Sequence, residues 1–237
     1  MKRTLQEAVW LSLVVGLALA CASGPKGIPY NPSFAYTPPP TEAPSEVSIA
    51  LISARLNQLQ PANPQAMAGQ QTVVFGEKHG NAFLNSLTNA LQQLIVARGF
   101  KISGPFARMD DMTFPQKKQS ELALIAVSDL VQSGPDGCAG NVREGRLNCV
   151  GTCAISGFLT FEMWEPMSGQ KVFMKRVDVA PLAKPCAGDQ VFVENTKAML
   201  LETAFLTVMD KANQYFVKEE VELARRQSKE LREKKVY

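Results

Sequence analysis

The sequence has little of what most catalytic sites need. Its 237 residues include one histidine, His79, and there is no phosphate-binding glycine loop and no nucleophile elbow. His79 lies in the polar stretch 76–80, where a histidine can act as a general base but is far more often a solvated loop residue. We therefore predict that the protein is not an enzyme and uses no cofactor.

The chain also lacks a strong charge of either sign. Its 25 lysine and arginine residues nearly balance 22 acidic residues, which leaves a net charge of +3. Nucleic-acid-binding surfaces combine a basic stripe with interleaved aromatic residues, and no such stripe is present. A nucleic-acid partner is therefore not expected.

The first apolar run is too short to span a bilayer comfortably. It extends from Ala8 to Ala20, follows Lys2 and Arg3, and ends in small residues, as a secretory signal peptide does. We assign residues 1–20 to a signal peptide that exports the chain.

The end of that run, Ala18-Leu19-Ala20-Cys21, looks like the lipobox of bacterial lipoproteins. This resemblance implies cleavage before Cys21, acylation of Cys21 and a firm membrane anchor, because each buried CH₂ contributes about 0.8 kcal/mol. Ala22 follows the cysteine where an aspartate would retain a lipoprotein in the inner membrane, so the outer membrane is expected. The alternative is a plain signal peptide with an incidental cysteine.

Metal ligands are scarce. The four cysteines after Cys21 sit in an exported chain with one histidine, so disulfides are favoured over a zinc site. Asp110 and Asp111 precede a predicted short helix, where acidic residues favour the helix N-terminus more often than they bind a metal. No metal site is predicted.

Residues 21–46 are rich in proline, serine and glycine and short of large aliphatic residues. Such a segment buries too little apolar surface to order itself, so we predict a lipidated tether. Residues 47–217 then form the folded α/β domain, and residues 218–237 form a charged helical extension. We expect that extension to be solvated, with a coiled coil that binds a partner as the alternative.

The folded part alternates strand and helix patterns. Residues 72–106 predict a strand–helix–strand unit, with Asn81 capping the helix, Gly99 ending it and the two strands parallel. Other strands are predicted at 47–52 and 122–131, and a short helix begins near Thr113. The sequence therefore predicts an α+β fold, in which helices pack mainly on one face of a mixed sheet.

Residues 161–177 predict a β-hairpin that turns at Glu165-Pro166-Met167-Ser168-Gly169. Proline and glycine favour the turn, and alternation places four apolar side chains on one face: Phe161, Met163, Val172 and Met174.

A long last helix begins near Asn195. Its apolar stripe ends at Phe216, so we expect Phe205 to lie in the core and Leu231 to be exposed.

The four later cysteines allow three pairings. We favour Cys138–Cys149, which closes a small loop, and Cys153–Cys186, which joins the outer ends of the hairpin. The main alternative pairs Cys149 with Cys186 and Cys138 with Cys153.

Three segments carry a family resemblance. They are Phe114-Pro115-Gln116-Lys117-Lys118 before an apolar strand, Gly157-Phe158 with the strand that ends in Glu165-Pro166-Met167-Ser168-Gly169, and the charged end at 229–235. In this order and spacing they resemble the neuraminyllactose-binding hemagglutinin family, outer-membrane lipoproteins also called flagellar-sheath adhesins. The resemblance implies an outer-membrane protein with a lipid anchor, and a host glycan or an envelope or flagellar protein as partner.

The sequence departs from this family at the proposed sugar site. Where the family has a lysine-rich heptapeptide, residues 137–149 hold two arginines, Arg143 and Arg146, no lysine and a pair of cysteines. The arginines could contact a sugar carboxylate, although ordinary exposed loop arginines are the more common case. Membership of the lipoprotein family therefore carries over, whereas sialic-acid binding does not carry over safely.

Two hypotheses remain. The first is an outer-membrane adhesin or binding lipoprotein. The second is a scaffold lipoprotein that supports an envelope or flagellar machine from the periplasmic side. They differ in which side of the outer membrane the domain faces.

Overall fold

One long β-hairpin organises the fold. The computed structural model describes residues 28–57, 72–73, 77–135, 137–141 and 146–234. The strands are β1 (Ser48–Ile52), β2 (Arg55–Leu56), β3 (Thr72–Val73), β4 (Lys101–Phe106), β5 (Leu122–Ser128), β6 (Val131–Ser133), β7 (Gly137–Asn141), β8 (Arg146–Val150), β9 (Thr152–Glu165) and β10 (Gln170–Pro185). The helices are α1 (Glu77–Ala97), α2 (Phe114–Gln119), α3 (Gln190–Tyr215) and α4 (Lys218–Lys234), with a 3-10 helix at Met109–Asp111.

Strands β9 and β10 form the hairpin, and the turn lies where the sequence predicts it, with Gly169 at φ 64°. Because β10 pairs along the whole of β9, it occupies one edge of that strand. Strands β5 and β6 follow one another along the other edge. Beyond β5 lie β1 and then β4, both parallel to it, so the eight-stranded sheet is mixed as predicted. Strands β7 and β8 pair separately as a two-stranded sheet.

The junction between β5 and β6 requires a glycine on the facing strand. Gly157 has φ +120°, and a Cβ atom there would lie 2.4 Å from the carbonyl oxygen of Asp129. The glycine therefore lets β9 stay paired while the opposite strand is interrupted.

Helices α1, α3 and α4 cover one face of the sheet and form the main core with it, which confirms the α+β prediction. The predicted stripe of α3 is buried throughout: Leu201, Phe205, Val208, Met209, Ala212 and Phe216. On the other face a smaller apolar cluster surrounds Met112 and packs on β1 and β5. Helix α3 begins at Gln190, earlier than predicted, because the Asp189 carboxylate accepts a hydrogen bond from the Phe192 N–H at 2.8 Å.

The prediction of parallel strands around α1 is wrong. Strands β5 and β6 are both antiparallel to β9 and so run in the same direction. Strand β3 is antiparallel to β6, whereas β4 is parallel to β1 and β5, so β3 and β4 run in opposite directions. The apolar strand β1 is buried on both faces and takes the central position beside β4. Helix α1 also begins at Glu77, before the predicted cap at Asn81, so His79 lies in its first turn rather than in a loop.

The predicted inner face of the hairpin is correct for three of its four residues. Phe161 and Met163 are fully buried and Val172 packs against the main core, but a bulge at Val172 shifts the register. Phe173 consequently pairs with Met163, whereas Met174 pairs with Glu162 and is 59% exposed. One extra residue in a strand moves every later side chain to the opposite face.

The segment predicted as a free tether packs on the domain from Ile28 onward, and we call residues 28–46 the N-terminal strap. Its Phe34 ring lies 5.7 Å from the Phe83 ring and 5.5 Å from the Phe205 ring, measured between centroids. Farther along, the Glu42 N–H donates to the carbonyl oxygen of Ala97 at 2.7 Å. The composition of the segment did not predict this packing, because a few aromatic side chains supply the contacts.

The predicted solvated extension is helical, but it also packs on the sheet. Val221, Ala224 and Ser228 of α4 are buried along one side of the helix, and Leu231 is half-buried rather than exposed. The alanine and the serine at this spacing let α4 approach the sheet closely. The prediction considered only large apolar residues and therefore missed this contact.

Candidate binding surface

The three segments that carry the family resemblance meet at one end of the sheet. Arg232 of α4 donates from Nε to the Glu165 carboxylate at 2.7 Å. Its terminal nitrogens donate to the carbonyl oxygens of Lys117, Lys118 and Ser120 at the end of α2. We call this group the Arg232 clasp. It satisfies carbonyl groups that a helix C-terminus leaves unpaired and places a cation at the negative end of the helix dipole.

Glu165 is fully buried at the centre of the clasp. Besides Arg232, its carboxylate accepts hydrogen bonds from the backbone N–H groups of Met167, at 3.0 Å, and Ser168, at 2.5 Å. Burial alone would raise the pKa of Glu165, but the hydrogen bonds from Ser168, Met167 and Arg232 together hold that pKa below its ordinary value. Glu165 is therefore a buried anion that closes the turn and fastens α4.

A second carboxylate holds the middle of α4. Glu121 accepts from Arg225 Nε at 2.8 Å, and its backbone carbonyl accepts from the Ser228 hydroxyl at 2.6 Å. Partial burial raises the pKa of Glu121, yet the bonds from Arg225, Ser48 and Lys229 bring it below its ordinary value. The segments that carry the family resemblance therefore include residues that hold α4 on the sheet.

The outward side of the hairpin is different. We define the open face as the outward side chains of β9 and β10: Phe158, Thr160, Glu162, Trp164, Lys171, Met174, Arg176 and Asp178. Of these, Thr160 is buried, and Trp164 is half-buried because it packs against the smaller apolar cluster around Met112. Helices α3 and α4 pack on the opposite side of these strands, where the main core lies.

Cations lie over aromatic rings on this open face. The Arg176 guanidinium is 3.6 Å from the centroid of the Phe158 ring, and Lys171 Nζ is 5.0 Å from that of Trp164. Arg176 also pairs with Asp178 at 2.7 Å, and Trp164 Nε1 donates to Glu162 at 3.1 Å. These cation–π contacts and hydrogen bonds hold the aromatic rings and the charged groups in fixed orientations.

Such a surface suits binding by contact rather than by enclosure. Tryptophan and arginine are enriched among the residues that dominate macromolecular interfaces, and Met174 adds an adaptable apolar side chain. By contrast, a cleft between β1, β4 and α2, lined in part by Ser48, Lys101 and Gln119, holds only about 160 Å³. Small-molecule sites usually hold about 300–1,000 Å³.

The predicted disulfides are both present. Cys138 pairs with Cys149 across β7 and β8, and Cys153 pairs with Cys186 at the outer end of the hairpin. The closure of a small loop predicts the first pair, and the antiparallel hairpin predicts the second.

The other predicted site residues are placed only in part. Cys21 and Arg143 lie outside the described residues, and Arg146 begins β8 opposite Asn141. Asp110 and Asp111 lie in the 3-10 helix, before α2. Within the described ranges, no cluster of three or more His, Cys, Asp or Glu residues could hold a metal ion.

Sequence reasoning missed the open face and the Arg232 clasp. A signal for the first was present, because Trp164 interrupts the polar alternation of the hairpin. Nothing local distinguishes Arg232 within a run of charged residues, because its role depends on partners more than sixty residues away in the chain.

Comparison of structures identifies the fold. A neuraminyllactose-binding hemagglutinin homolog from Helicobacter pylori matches with a TM-score of 0.61 and 16% identity, over 85% of this chain and 100% of that one. A DUF330 protein from Xanthomonas campestris gives a TM-score of 0.37 at 12% identity, over 84% of this chain and 97% of that one. The chain therefore shares the fold of the hemagglutinin homolog, in agreement with the resemblance of its motifs.

Comparison of sequences adds no relative. No protein-family model matches the chain, and no curated protein matches it. Among the described residues, no helix combines the length and apolar character needed to cross a bilayer.

Proposed function

We propose that this protein is an outer-membrane lipoprotein of the adhesin or flagellar-sheath type, anchored through Cys21, which binds a partner and catalyses no reaction. The open face carries the binding part of this proposal, because it presents oriented aromatic and cationic groups on the side of the hairpin away from the main core. A hemagglutinin homolog with the same fold supports a host-cell ligand. The two disulfides suit an exported protein.

The anchor is tested by Cys21→Ser. This substitution removes the acylated thiol, so the chain should leave the detergent-extracted membrane fraction while its denaturant melt stays unchanged. Ser23→Ala, two residues away, is the matched control and should stay in the membrane. Processed Cys21→Ser protein that still fractionates with membranes would contradict lipidation.

The binding role is tested by agglutination of erythrocytes with beads that carry the purified chain. Arg176→Ala removes the cation over Phe158 and should lower the agglutination titre at least several-fold, because interface hot spots are enriched in arginine and cost about 2 kcal/mol or more when truncated. Arg226→Ala removes an exposed arginine of α4 and should leave the titre unchanged. Equal titres for wild type and Arg176→Ala would contradict a binding role for the open face.

The alternative is a scaffold lipoprotein on the periplasmic side, which supports an envelope or flagellar machine. Strand β10 favours it, because within the described part of the chain this long strand pairs with β9 along one edge and with no strand along the other. A strand edge of this kind can accept a strand from another protein.

A further inference from the structure

The strap determines where a lipid anchor at Cys21 would lie. Asn195, in the first turns of α3, accepts from the Tyr30 N–H at 2.6 Å and donates to the carbonyl oxygen of Ile28 at 2.8 Å. Ile28 is seven positions after Cys21 in the chain, a distance of at most about 25 Å when fully extended. An acylated Cys21 would therefore hold the start of α3 within that distance of the bilayer.

Three large apolar side chains are exposed at this same end of the molecule. Ile28 is 85% exposed, Val150 68% and Phe192 46%. We call these three residues the anchor end. Exposing three apolar side chains together to water is unfavourable, and contact with a lipid surface would bury them.

Their proximity follows from the contacts between them. The Phe192 side chain packs against Gly188, where an added Cβ would lie 3.3 Å from it. Gly188 forms a two-way backbone bridge with Cys149, the neighbour of Val150. Phe192 and Asn195 are three residues apart and so share a side of α3, which brings in Ile28.

We propose that the anchor end rests on the lipid bilayer that holds Cys21, with Phe192 and Val150 at the level of the headgroups. This inference rests on the lipid anchor of the proposed function and adds an orientation to it. The hairpin then points away from the membrane, because β9 extends about 46 Å from Thr152 to the turn at Glu165. The open face stands on the side of the molecule, exposed to a partner.

Fluorescence quenching by brominated lipid tests the contact. Trp164→Phe removes the remaining tryptophan of the processed chain, and Phe192→Trp or Leu206→Trp then introduces a single reporter. Leu206 is a matched control because it is 53% exposed on the same helix, about 40° around it and about 21 Å farther along. Acylated chains are reconstituted in phosphatidylethanolamine–phosphatidylglycerol vesicles.

The expected result is roughly twofold loss of emission for the Phe192→Trp chain and almost none for the Leu206→Trp chain, since an apolar contact enters the headgroup boundary by about 5–10 Å. Quenching of neither chain, or of both equally, would overturn the orientation. Quenching of neither chain would mean that the domain does not contact the bilayer. Equal quenching of both would mean that α3 lies along the bilayer surface.

A separate measurement keeps the anchor and the contact distinct. Mass spectrometry of the N-terminal peptide reports whether Cys21 is acylated. If it is not, the same two variants, with residues 1–21 replaced by a hexahistidine tag, are bound to vesicles that contain a nickel-chelating lipid. Selective quenching of the Phe192→Trp chain there supports the contact although the proposed anchor fails, and its absence overturns the contact as well.

Discussion

At Glu165, burial and hydrogen bonding act on one carboxylate in opposite directions. Burial favours the protonated form, but two backbone N–H groups and Arg232 favour the anion and determine the outcome. Because the folded-state pKa is below that of the unfolded chain, the anion stabilises the fold at neutral pH. This contribution is lost as the pH falls through the folded-state pKa.

We therefore predict an acid-sensitive difference between wild type and Glu165→Gln. At pH 7 the variant should lose about 1–3 kcal/mol of unfolding free energy, because a neutral amide replaces a buried, hydrogen-bonded anion. Below the folded-state pKa, which itself lies below the ordinary glutamate value, the two should converge, since the carboxylate of the folded wild type is protonated only there. Denaturant melts at both pH values measure the difference.

Glu233→Gln, at an exposed glutamate of the same helix, is the control and should melt like wild type. A gap between wild type and Glu165→Gln that stays constant down to low pH would show that Glu165 is not held as an anion.

At the scale of elements, the N-terminal strap behaves as part of the domain. Phe34 contacts one ring from α1 and one from α3, so it connects two helices that are distant in sequence. The Glu42 carboxylate pairs with Arg98 at the end of α1, and the Lys218 ammonium approaches the same carboxylate to 3.7 Å at the start of α4. The strap thus contacts three of the four helices.

Phe34→Ala should release the strap. We expect a loss of about 1–3 kcal/mol, below the value for a fully buried phenylalanine because Phe34 is only half-buried. Limited proteolysis should then cut within residues 28–46 before the rest of the domain. Ser33→Ala, at the exposed neighbour, should change neither result, and a Phe34→Ala chain with wild-type stability and cleavage would show that the strap does not depend on this ring.

These elements indicate how far the sequence could predict the fold. Strands β1 and β5, the hairpin turn and the stripe of α3 were predictable, because each has a local apolar period or turn residues. The register after Val172 could not be predicted, because the alternation of residue types does not reveal a bulge. The direction of β3 depends on its pairing with β6, which is decided by distant parts of the chain.

The candidate site was predictable to a smaller degree. The Glu165 turn could be recognised as a motif, but its link to Arg232 spans 67 residues. Arg176 and Phe158 meet only because β9 and β10 pair in one particular register, which places Asp178 opposite Phe158. Contacts across a sheet follow from that register and cannot be read from either strand alone.

At the scale of the whole molecule, the described chain has two distinct ends. The Cys153–Cys186 disulfide, the start of the strap and the exposed side chains of Val150 and Phe192 lie at one end of the hairpin. The Arg232 clasp closes the other end. An anchor at Cys21 would keep the first end near the membrane and leave the open face free along the side.

We expect the domain, if anchored as proposed, to present its open face outside the cell, and protease treatment of intact cells tests this expectation. Permeabilised cells serve as the control that the protease can cut the domain, and a periplasmic protein serves as the control for cell integrity. A domain that faces outward should be lost from intact cells while the periplasmic protein survives. Full protection in intact cells, with loss only after permeabilisation, would contradict the adhesin and support the periplasmic scaffold.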